Sequence, residues 1–168
     1  MRPLTNLIIY EDDLSRIVAC LNMLNRKAKT RAVLLIDKSG QLIACAGETD
    51  GLDSTSLGSL AAGHIAAAGA LAQLLGDEEF IFVFHEGERN HLHFSIIGGR
   101  VILMIVADQG SPVGLVRLHI KKFSRDIDEI FQELTSRPES VSGEGRFLSE
   151  SGFGNLTDDD FERLFNRR

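Results

Sequence analysis

Residues 57–75 read LGSLAAGHIAAAGALAQLL, and this stretch predicts one long helix. Residues 53–56 offer several N-cap candidates, and Gly76 follows as a C-cap glycine. On a helical wheel the larger apolar residues group on one broad side, which we predict to face the core. His64 falls on that side, where we expect a satisfied buried histidine or one at a helix-to-helix seam rather than a ligand. The side comprises Leu57, Leu60, Ile65, Ala68, Leu71, Leu74 and Leu75.

The opposite side of this helix carries only small or uncharged residues. Its members are Ser59, Ala62, Gly63, Ala66, Gly69, Ala70 and Gln73. A glycine inside a helix costs about 1 kcal/mol relative to alanine, so Gly63 and Gly69 need a reason beyond propensity. Close approach of another backbone would supply one. The alternatives are an exposed alanine face of no consequence and packing against loops of the same domain; we predict an interaction surface.

The segments around this helix predict two further helices and five strands. Residues 32–37 and 42–47 are short apolar runs joined by a Lys38–Gly40 turn, and three more runs follow at 80–85, 91–97 and 101–107. A Gly98-Gly99 pair is a tight-hairpin signal between the last two. The apolar spacing of the outer helices is helical. The apolar residues at this spacing are Leu14, Ile17, Val18, Leu21 and Leu24 in the first helix, and Val113, Val116, Ile120, Phe123, Ile127, Ile130 and Leu134 in the last.

These elements predict an α+β fold in which helices cover an antiparallel, hairpin-rich sheet. Ser111 and Pro112 predict the start of the last helix, with the serine as N-cap and the proline at the first helical position. We predict one domain over residues 1–136. Residues 137–155 are rich in Gly, Ser and Glu without periodicity, which is typical of a flexible linker.

Residues 156–168 begin with LTDDDFERLF, which predicts a short C-terminal helix. Leu156 and Phe161 have the spacing of a hydrophobic staple, and Phe161, Leu164 and Phe165 share one side. So short a helix is marginal alone, so docking has to stabilise it. We predict that it docks onto a partner; the alternative is that it folds back on its own domain.

Composition excludes several classes of function. The net charge of −6 argues against the basic face that a nucleic-acid binder needs. The apolar run of residues 95–107 is interrupted by Gly98, Gly99 and Arg100, so we expect no membrane span. The amino terminus lacks the features of a secretory signal, which predicts a cytoplasmic protein. Cys20 and Cys45 lie in apolar segments and predict buried thiols rather than a disulfide framework.

No motif predicts a catalytic group, a resident metal or a cofactor. Two alternatives remain open: a zinc site formed by His85, His91 and His93 with Glu86 or Glu88 on one predicted hairpin, and a nucleophile formed by Cys45 with one of these histidines. Neither a phosphate-binding P-loop nor a strand-linked G-x-G-x-x-G is present. Arg89 and Arg100 lie in predicted turns, where we expect them to be solvated surface residues.

Four motifs together resemble the roadblock/dynein light-chain family, and more closely its bacterial MglB-like gliding-motility members. They are DKSGQLIACAG at 37–47, the small-residue helix, SIIGGRVILMIV at 95–106 and GLVRL at 114–118. The YEDD start, FHEG at 84–87 and the LTDDDFERLF tail match the MglB-like members. The resemblance implies a five-stranded antiparallel sheet with one central helix on one face and two on the other.

The resemblance also implies a function. It predicts a homodimer that activates a small Ras-like GTPase of the MglA type in cell polarity or motility, with two protomers per GTPase and a position at a cell pole. The dimer would reshape the GTPase switch region without inserting an arginine finger. The alternative is a scaffold that binds a GTPase without accelerating hydrolysis. Carried onto this chain, the partner-binding residues are Ala62, Gly63, Ala66, Ala70 and Gln73 on the helix, and Leu156, Phe161, Leu164 and Phe165 on the tail.

Overall fold

The computed structural model describes residues 9–136, so the predicted linker at 137–155 and the predicted docking helix at 156–168 lie outside the described residues. Within the described range the order of elements is helix, two strands, helix, three strands, helix, as the sequence predicts. The elements are α1 (Glu11–Ala28), β1 (Ala32–Asp37), β2 (Leu42–Gly47), α2 (Ser54–Leu75), β3 (Val83–Glu86), β4 (Asn90–Ile97), β5 (Val101–Asp108) and α3 (Val113–Ser136).

The five strands form one antiparallel sheet in the order β2-β1-β5-β4-β3. The central strands β1 and β5 are almost entirely buried, while β2 and β3 form the two edges. Gly98 and Gly99 both adopt positive φ, the conformation that a tight hairpin turn requires, and the Arg100 amide donates to the carbonyl of Ile97. The predicted hairpin signal is therefore confirmed. The register places Ile97 opposite Val101, with three residues between them.

Helices α1 and α3 cover one face of the sheet and run antiparallel to each other. The start of α1 meets the end of α3, where Arg16 pairs with Glu133 at 2.7 Å, and the end of α1 meets the start of α3, where the Ser111 hydroxyl donates to the Lys29 carbonyl at 2.5 Å. Six of the seven predicted apolar positions of α3 are buried, and Val113, at the helix start, is partly exposed. This layer encloses the larger core, which includes Ile17, Leu21, Leu24, Val33, Leu35, Leu103, Ile105, Phe123 and Ile127.

Helix α2 lies on the other face, and the sandwich predicted from the resemblance is confirmed. Of the N-cap candidates at 53–56, Asp53 caps α2, because its carboxylate accepts from the Ser56 amide at 3.0 Å, and Gly76 ends the helix in the left-handed conformation. Ser111, the serine predicted to cap α3, uses its hydroxyl instead to tie the end of α1. Strand β3 begins at Val83, three residues later than the apolar run predicts.

The predicted core side of α2 is wrong for four leucines. The buried residues of this helix are Gly58, Ala61, Ile65, Ala68 and Ala72, whereas Leu60, Leu71, Leu74 and Leu75 are exposed. The sheet face under the helix already carries Leu34, Ile36, Phe94, Ile102 and Met104. Because those side chains fill the space, α2 approaches with its small residues and turns its leucines outward.

Candidate functional site

The surface of α2 that points away from the sheet is apolar and without charge. No Asp, Glu, Lys or Arg occurs between Ser54 and Leu75, so no charged side chain solvates this helix. Leu60 is 71% exposed, Leu71 56% and Leu74 84%. Exposed apolar surface that is contiguous and free of charge is typical of a protein interaction site. We call the exposed residues of α2 the outer face.

The outer face has two flanks. Leu60, Ala67, Leu71 and Leu74 lie at spacings of three, four and seven residues along the side that also carries His64, and His64 contacts His85 of β3. We call these four residues the leucine flank; it lies toward the β3 edge of the sheet. The sequence analysis placed the three leucines of this flank in the core. Since both sides of α2 are apolar, no pattern in the helix itself distinguishes the buried side from the exposed side.

The residues predicted from the resemblance form the other flank, which we call the small flank. Gly63, Ala66, Ala70 and Gln73 are exposed, whereas Ala62 is half-buried against the core beneath α2. The structure therefore brings the five helix residues of the predicted partner site together on one surface. The four tail residues of that site, Leu156, Phe161, Leu164 and Phe165, lie outside the described residues.

The glycines of α2 serve two different purposes. A Cβ added at Gly58 would overlap the carbonyl oxygen of Gly40, because the β1–β2 turn crosses directly over the helix. A Cβ added at Gly63 or Gly69 would meet no atom within 4 Å. Nothing in the described part of the chain therefore explains these two glycines. A partner backbone that approaches the outer face closely would explain both.

The apolar surface of α2 continues to the edge of the sheet. Among the described residues, strand β3 pairs only with β4, so its other side presents amide and carbonyl groups without a strand partner in this range. Ile81, just before this strand, is 84% exposed. A short edge strand beside an exposed apolar patch is a surface on which another chain can add a strand and cover the patch in one step.

His64 and His85 connect α2 to this edge. Their Nε2 atoms lie 3.0 Å apart and their rings meet edge to face, with Phe94 packed against both. At this distance one imidazole donates and the other accepts, which requires at least one of them to be neutral. Burial, and secondly the neighbouring His85, lower the pKa of His64. The predicted helix-to-helix seam is wrong, because the neighbour of His64 is strand β3, and His64 itself is half-buried.

The three histidines of the zinc hypothesis do not converge. In the β3–β4 register Phe84 faces His93 and Glu86 faces His91, so these residues share the α3 side of the sheet. His85 points to the α2 side, toward His64. Within residues 9–136 no group of three or more His, Cys, Asp or Glu residues can hold a metal ion.

Cysteine chemistry with these histidines is excluded by the order of strands. Cys45 lies on β2 and the histidines lie on β3 and β4, with β1 and β5 between. Neighbouring strands are about 4.8 Å apart, so β2 and β3 at the two edges are separated by about 19 Å. Cys20 and Cys45 are both free and half-buried, and burial raises the pKa of the Cys20 thiol to about 11. The Cys20 thiol therefore lacks the depressed pKa of a reactive cysteine.

His93 is fully buried between Phe82 and Phe84, and neither of its ring nitrogens has a hydrogen-bond partner in the described residues. Desolvation, and secondly the adjacent His91, lower the pKa of His93 to about 4. The ring is therefore neutral near pH 7. Its surroundings, with Phe82 and Phe84 against the ring, are those of a core side chain.

Helix α2 is also the one helix in the described range that is long and apolar enough to cross a membrane by composition. Helices that pack on a sheet pass the same test, and α2 packs Ala61 and Ile65 onto side chains of β1, β4 and β5. We therefore interpret α2 as a sheet-packed helix whose outer face needs a cover, and the expectation of no membrane span is retained for it.

Comparisons with known proteins identify a family with this fold. The Roadblock/LC7 domain matches residues 17–107. MglB of Myxococcus xanthus is 44% identical over 79% of this chain and 100% of that chain, with a TM-score of 0.74. The gliding protein MglB of Thermus thermophilus is 33% identical over 79% of this chain and 99% of that chain, with a TM-score of 0.71.

A third structure, described as MglB with tetrameric arrangement, is 31% identical over 80% of this chain and 99% of that chain, with a TM-score of 0.73. No curated protein matches the chain. The match to the roadblock domain covers more than half of the chain, and the first of these structures matches along its whole length. This chain therefore belongs to the roadblock/LC7 family, as one of its MglB-like members.

Proposed function

We propose that this protein is a homodimeric activator of a small Ras-like GTPase of the MglA type, acting in bacterial cell polarity or gliding motility. The observation that carries the proposal is the outer face of α2, which is exposed, apolar and free of charge beside an open sheet edge. The similarity to MglB structures supports the choice of a GTPase as the partner.

In the proposed dimer the leucine flank contacts the second copy and the small flank binds the GTPase. Joining two copies through β3 extends the sheet and covers the leucine flank together with Ile81, which is the larger apolar area. The small flank of each copy then lies on one continuous surface, and two protomers receive one GTPase there. A relative described as having a tetrameric arrangement supports self-association in this family.

Activation in this proposal uses no catalytic side chain from this protein. Contact with the small flank shifts the GTPase switch region toward the arrangement in which its own residues meet the γ-phosphate. Arg89 is exposed in the β3–β4 turn, and Arg100, in the β4–β5 turn, donates to the Thr135 hydroxyl at 3.4 Å. Both are surface residues. Arg89→Ala and Arg100→Ala should leave activation within about twofold of the unmodified protein, whereas an arginine finger is worth about 10³ or more.

The decisive experiment is phosphate release by the cognate GTPase with and without saturating amounts of this protein. We expect acceleration of at least about tenfold. Binding without acceleration would contradict the activator function and leave the scaffold alternative, in which the same surface holds a GTPase and does not alter hydrolysis.

Ala66→Arg tests the small flank. A long cation in the middle of an uncharged contact surface has to be desolvated, so we expect GTPase affinity to fall by at least about tenfold. Ala19→Arg is the matched control, because Ala19 is an exposed helical alanine on α1, on the other face of the sheet. Equal affinities for the two variants would assign the partner to a different surface.

A further inference from the structure

Helix α3 carries a surface that neither the dimer nor the GTPase platform uses. Arg117, Lys121, Lys122 and Arg125 are all exposed and follow one another at helical spacing on its solvent side. We call these four residues the basic face. Leu118 lies among them and is 63% exposed. In a chain with a net charge of −6, four unopposed cations on one helix require an explanation.

The basic face is not explained by the stability of its own helix. Helix α1 has acids in its first turn and bases in its last, as the helix dipole favours, whereas α3 has no acid in its first turn and no base in its last. Two like-charge pairs, Arg117 with Lys121 and Lys121 with Arg125, stand four residues apart, an unfavourable spacing.

No salt bridge within residues 9–136 relieves these charges. Lys122 and Asp126 have ion-pair spacing, as do Arg125 and Glu129, yet neither pair comes within 4 Å. Arg117 stacks on Phe82 with its guanidinium carbon 5.2 Å from the ring centroid, a contact that positions the group and leaves its charge in place.

Tertiary packing strengthens this positive surface. Because α1 and α3 are antiparallel, the basic last turn of α1, with Arg26 and Lys27, ends beside the start of α3. The acids of α3 follow in its second half, close to the acidic start of α1. The helical layer therefore has a basic end and an acidic end, and an anionic ligand is attracted to the basic end.

The chain itself contains a matching anionic segment. Residues 156–165 read LTDDDFERLF, which places four carboxylates and one arginine among four large apolar residues, and the two arginines Arg167 and Arg168 follow this acidic part. Carboxylates suit the basic face, and an apolar side chain suits the exposed Leu118 among them.

The length of the intervening chain also fits. Nineteen residues, 137–155, separate the end of α3 from Leu156, and a flexible chain of that length has a root-mean-square span of about 25 Å. Lys121 lies 15 residues before Ser136 on α3, which is about 22 Å along the helix axis. The linker starts at the acidic end of α3, so the segment is repelled from the near half of the helix and reaches the basic half without strain.

We propose that the basic face of α3 holds the acidic segment 156–165 of the same chain while no partner engages that segment. The contact is an intramolecular latch: the linker raises the local concentration of the segment, and a partner has to displace it from α3. The latch does not depend on which partner, GTPase or other, the protein binds.

Carbodiimide cross-linking of the full-length chain tests the latch, because the reagent joins a carboxylate to an amine only where the two are in contact. The chain has five lysines, at 27, 29, 38, 121 and 122. We expect mass spectrometry to find tail cross-links concentrated on Lys121 and Lys122, with Lys38 in the β1–β2 turn as the internal reference. Raising NaCl from about 0.05 M to 0.5 M should reduce them several-fold, since salt screens exposed charges.

A double variant tests whether the positive charge of the basic face, rather than the reactivity of its lysines, concentrates the cross-links there. Arg117→Gln with Arg125→Gln keeps both reactive lysines and removes half of the attraction, so we expect the cross-link yield to fall about fivefold. Arg89→Gln with Arg100→Gln removes the same net charge elsewhere and should change the yield by less than about twofold. Equal losses in the two variants, or cross-links spread evenly over all five lysines, would overturn the latch.

Mixing ¹⁵N-labelled and unlabelled protein identifies which chain supplies the segment. Cross-linked peptide pairs that are uniformly light or uniformly heavy support the latch. A substantial fraction of mixed pairs would show that the tail of a second copy occupies the basic face, which contradicts the intramolecular assignment. Phosphate release by the GTPase is not measured in either experiment, so their outcome is separate from that of the proposed activity.

Discussion

The two faces of the sheet are covered in different ways. On one face α1 and α3 bury a continuous stripe of large apolar residues and turn charges to the solvent. On the other face α2 buries glycine, alanine and one isoleucine, and turns four leucines outward with no charge among them. The first layer is completed by this chain alone. Within residues 9–136 nothing covers the outer side of the second layer, which is why we propose partner binding at α2.

The largest expected difference between the layers is in core stability. Ile127→Ala on α3 removes a fully buried side chain and should lower the free energy of unfolding by about 3 kcal/mol. Leu74→Ala on α2, at 84% exposure, should lower it by less than about 0.5 kcal/mol at low protein concentration and weaken self-association instead. Urea unfolding and sedimentation measure the two effects. Similar losses of unfolding free energy would mean that the leucine flank is core.

The glycines of α2 give a second contrast, within one helix. Gly58→Ala should lower the free energy of unfolding by about 2 kcal/mol, because the new methyl group overlaps the Gly40 carbonyl of the β1–β2 turn. Gly63→Ala has open space and should raise it by up to about 1 kcal/mol through helix propensity. If the small flank receives a partner backbone, the same Gly63→Ala variant binds the GTPase more weakly. Unchanged GTPase affinity would remove the argument that Gly63 is kept for close approach.

The smallest effect concerns pH and the two kinds of histidine. The pKa of His93 is about 4 in the folded chain, below its ordinary value of 6.5, so the unfolded chain takes up a proton first as the pH falls. The contribution of neutral His93 to the free energy of unfolding is therefore fully present above pH 6.5 and is lost as the pH falls from 6.5 to 4. At pH 5 we expect the free energy of unfolding to be lower by about 1–2 kcal/mol.

His93→Phe should flatten that part of the stability profile measured by urea unfolding. His85→Phe is the matched substitution on the α2 side of the sheet, where the side chain is exposed. We expect His85→Phe to leave most of the loss between pH 6.5 and 4 in place. A profile equally steep in His93→Phe and in the unmodified protein would show that other groups control acid stability.

Much of the fold follows from local pattern. The seven apolar positions of α3 repeat at spacings of three and four, and six are buried because one stripe of an amphipathic helix has only one way to face a sheet. The Gly98-Gly99 turn and the Asp53 cap were predictable for the same reason, since their geometry depends on a few neighbouring residues. The zinc hypothesis was not resolved by pattern, because the strand register decides that His85 and His93 point to opposite sides.

The sequence by itself determined the number and order of the elements, the family, and the presence of a long helix without charge. Only the tertiary structure decided which side of that helix is free. Both sides of α2 are apolar, so the helical pattern of polar and apolar residues does not indicate which side is buried. The buried side is decided by the large side chains that β1, β4 and β5 already place on the sheet. The antiparallel packing of α1 and α3 likewise decided that their charges collect at two ends, because each helix alone contains both signs.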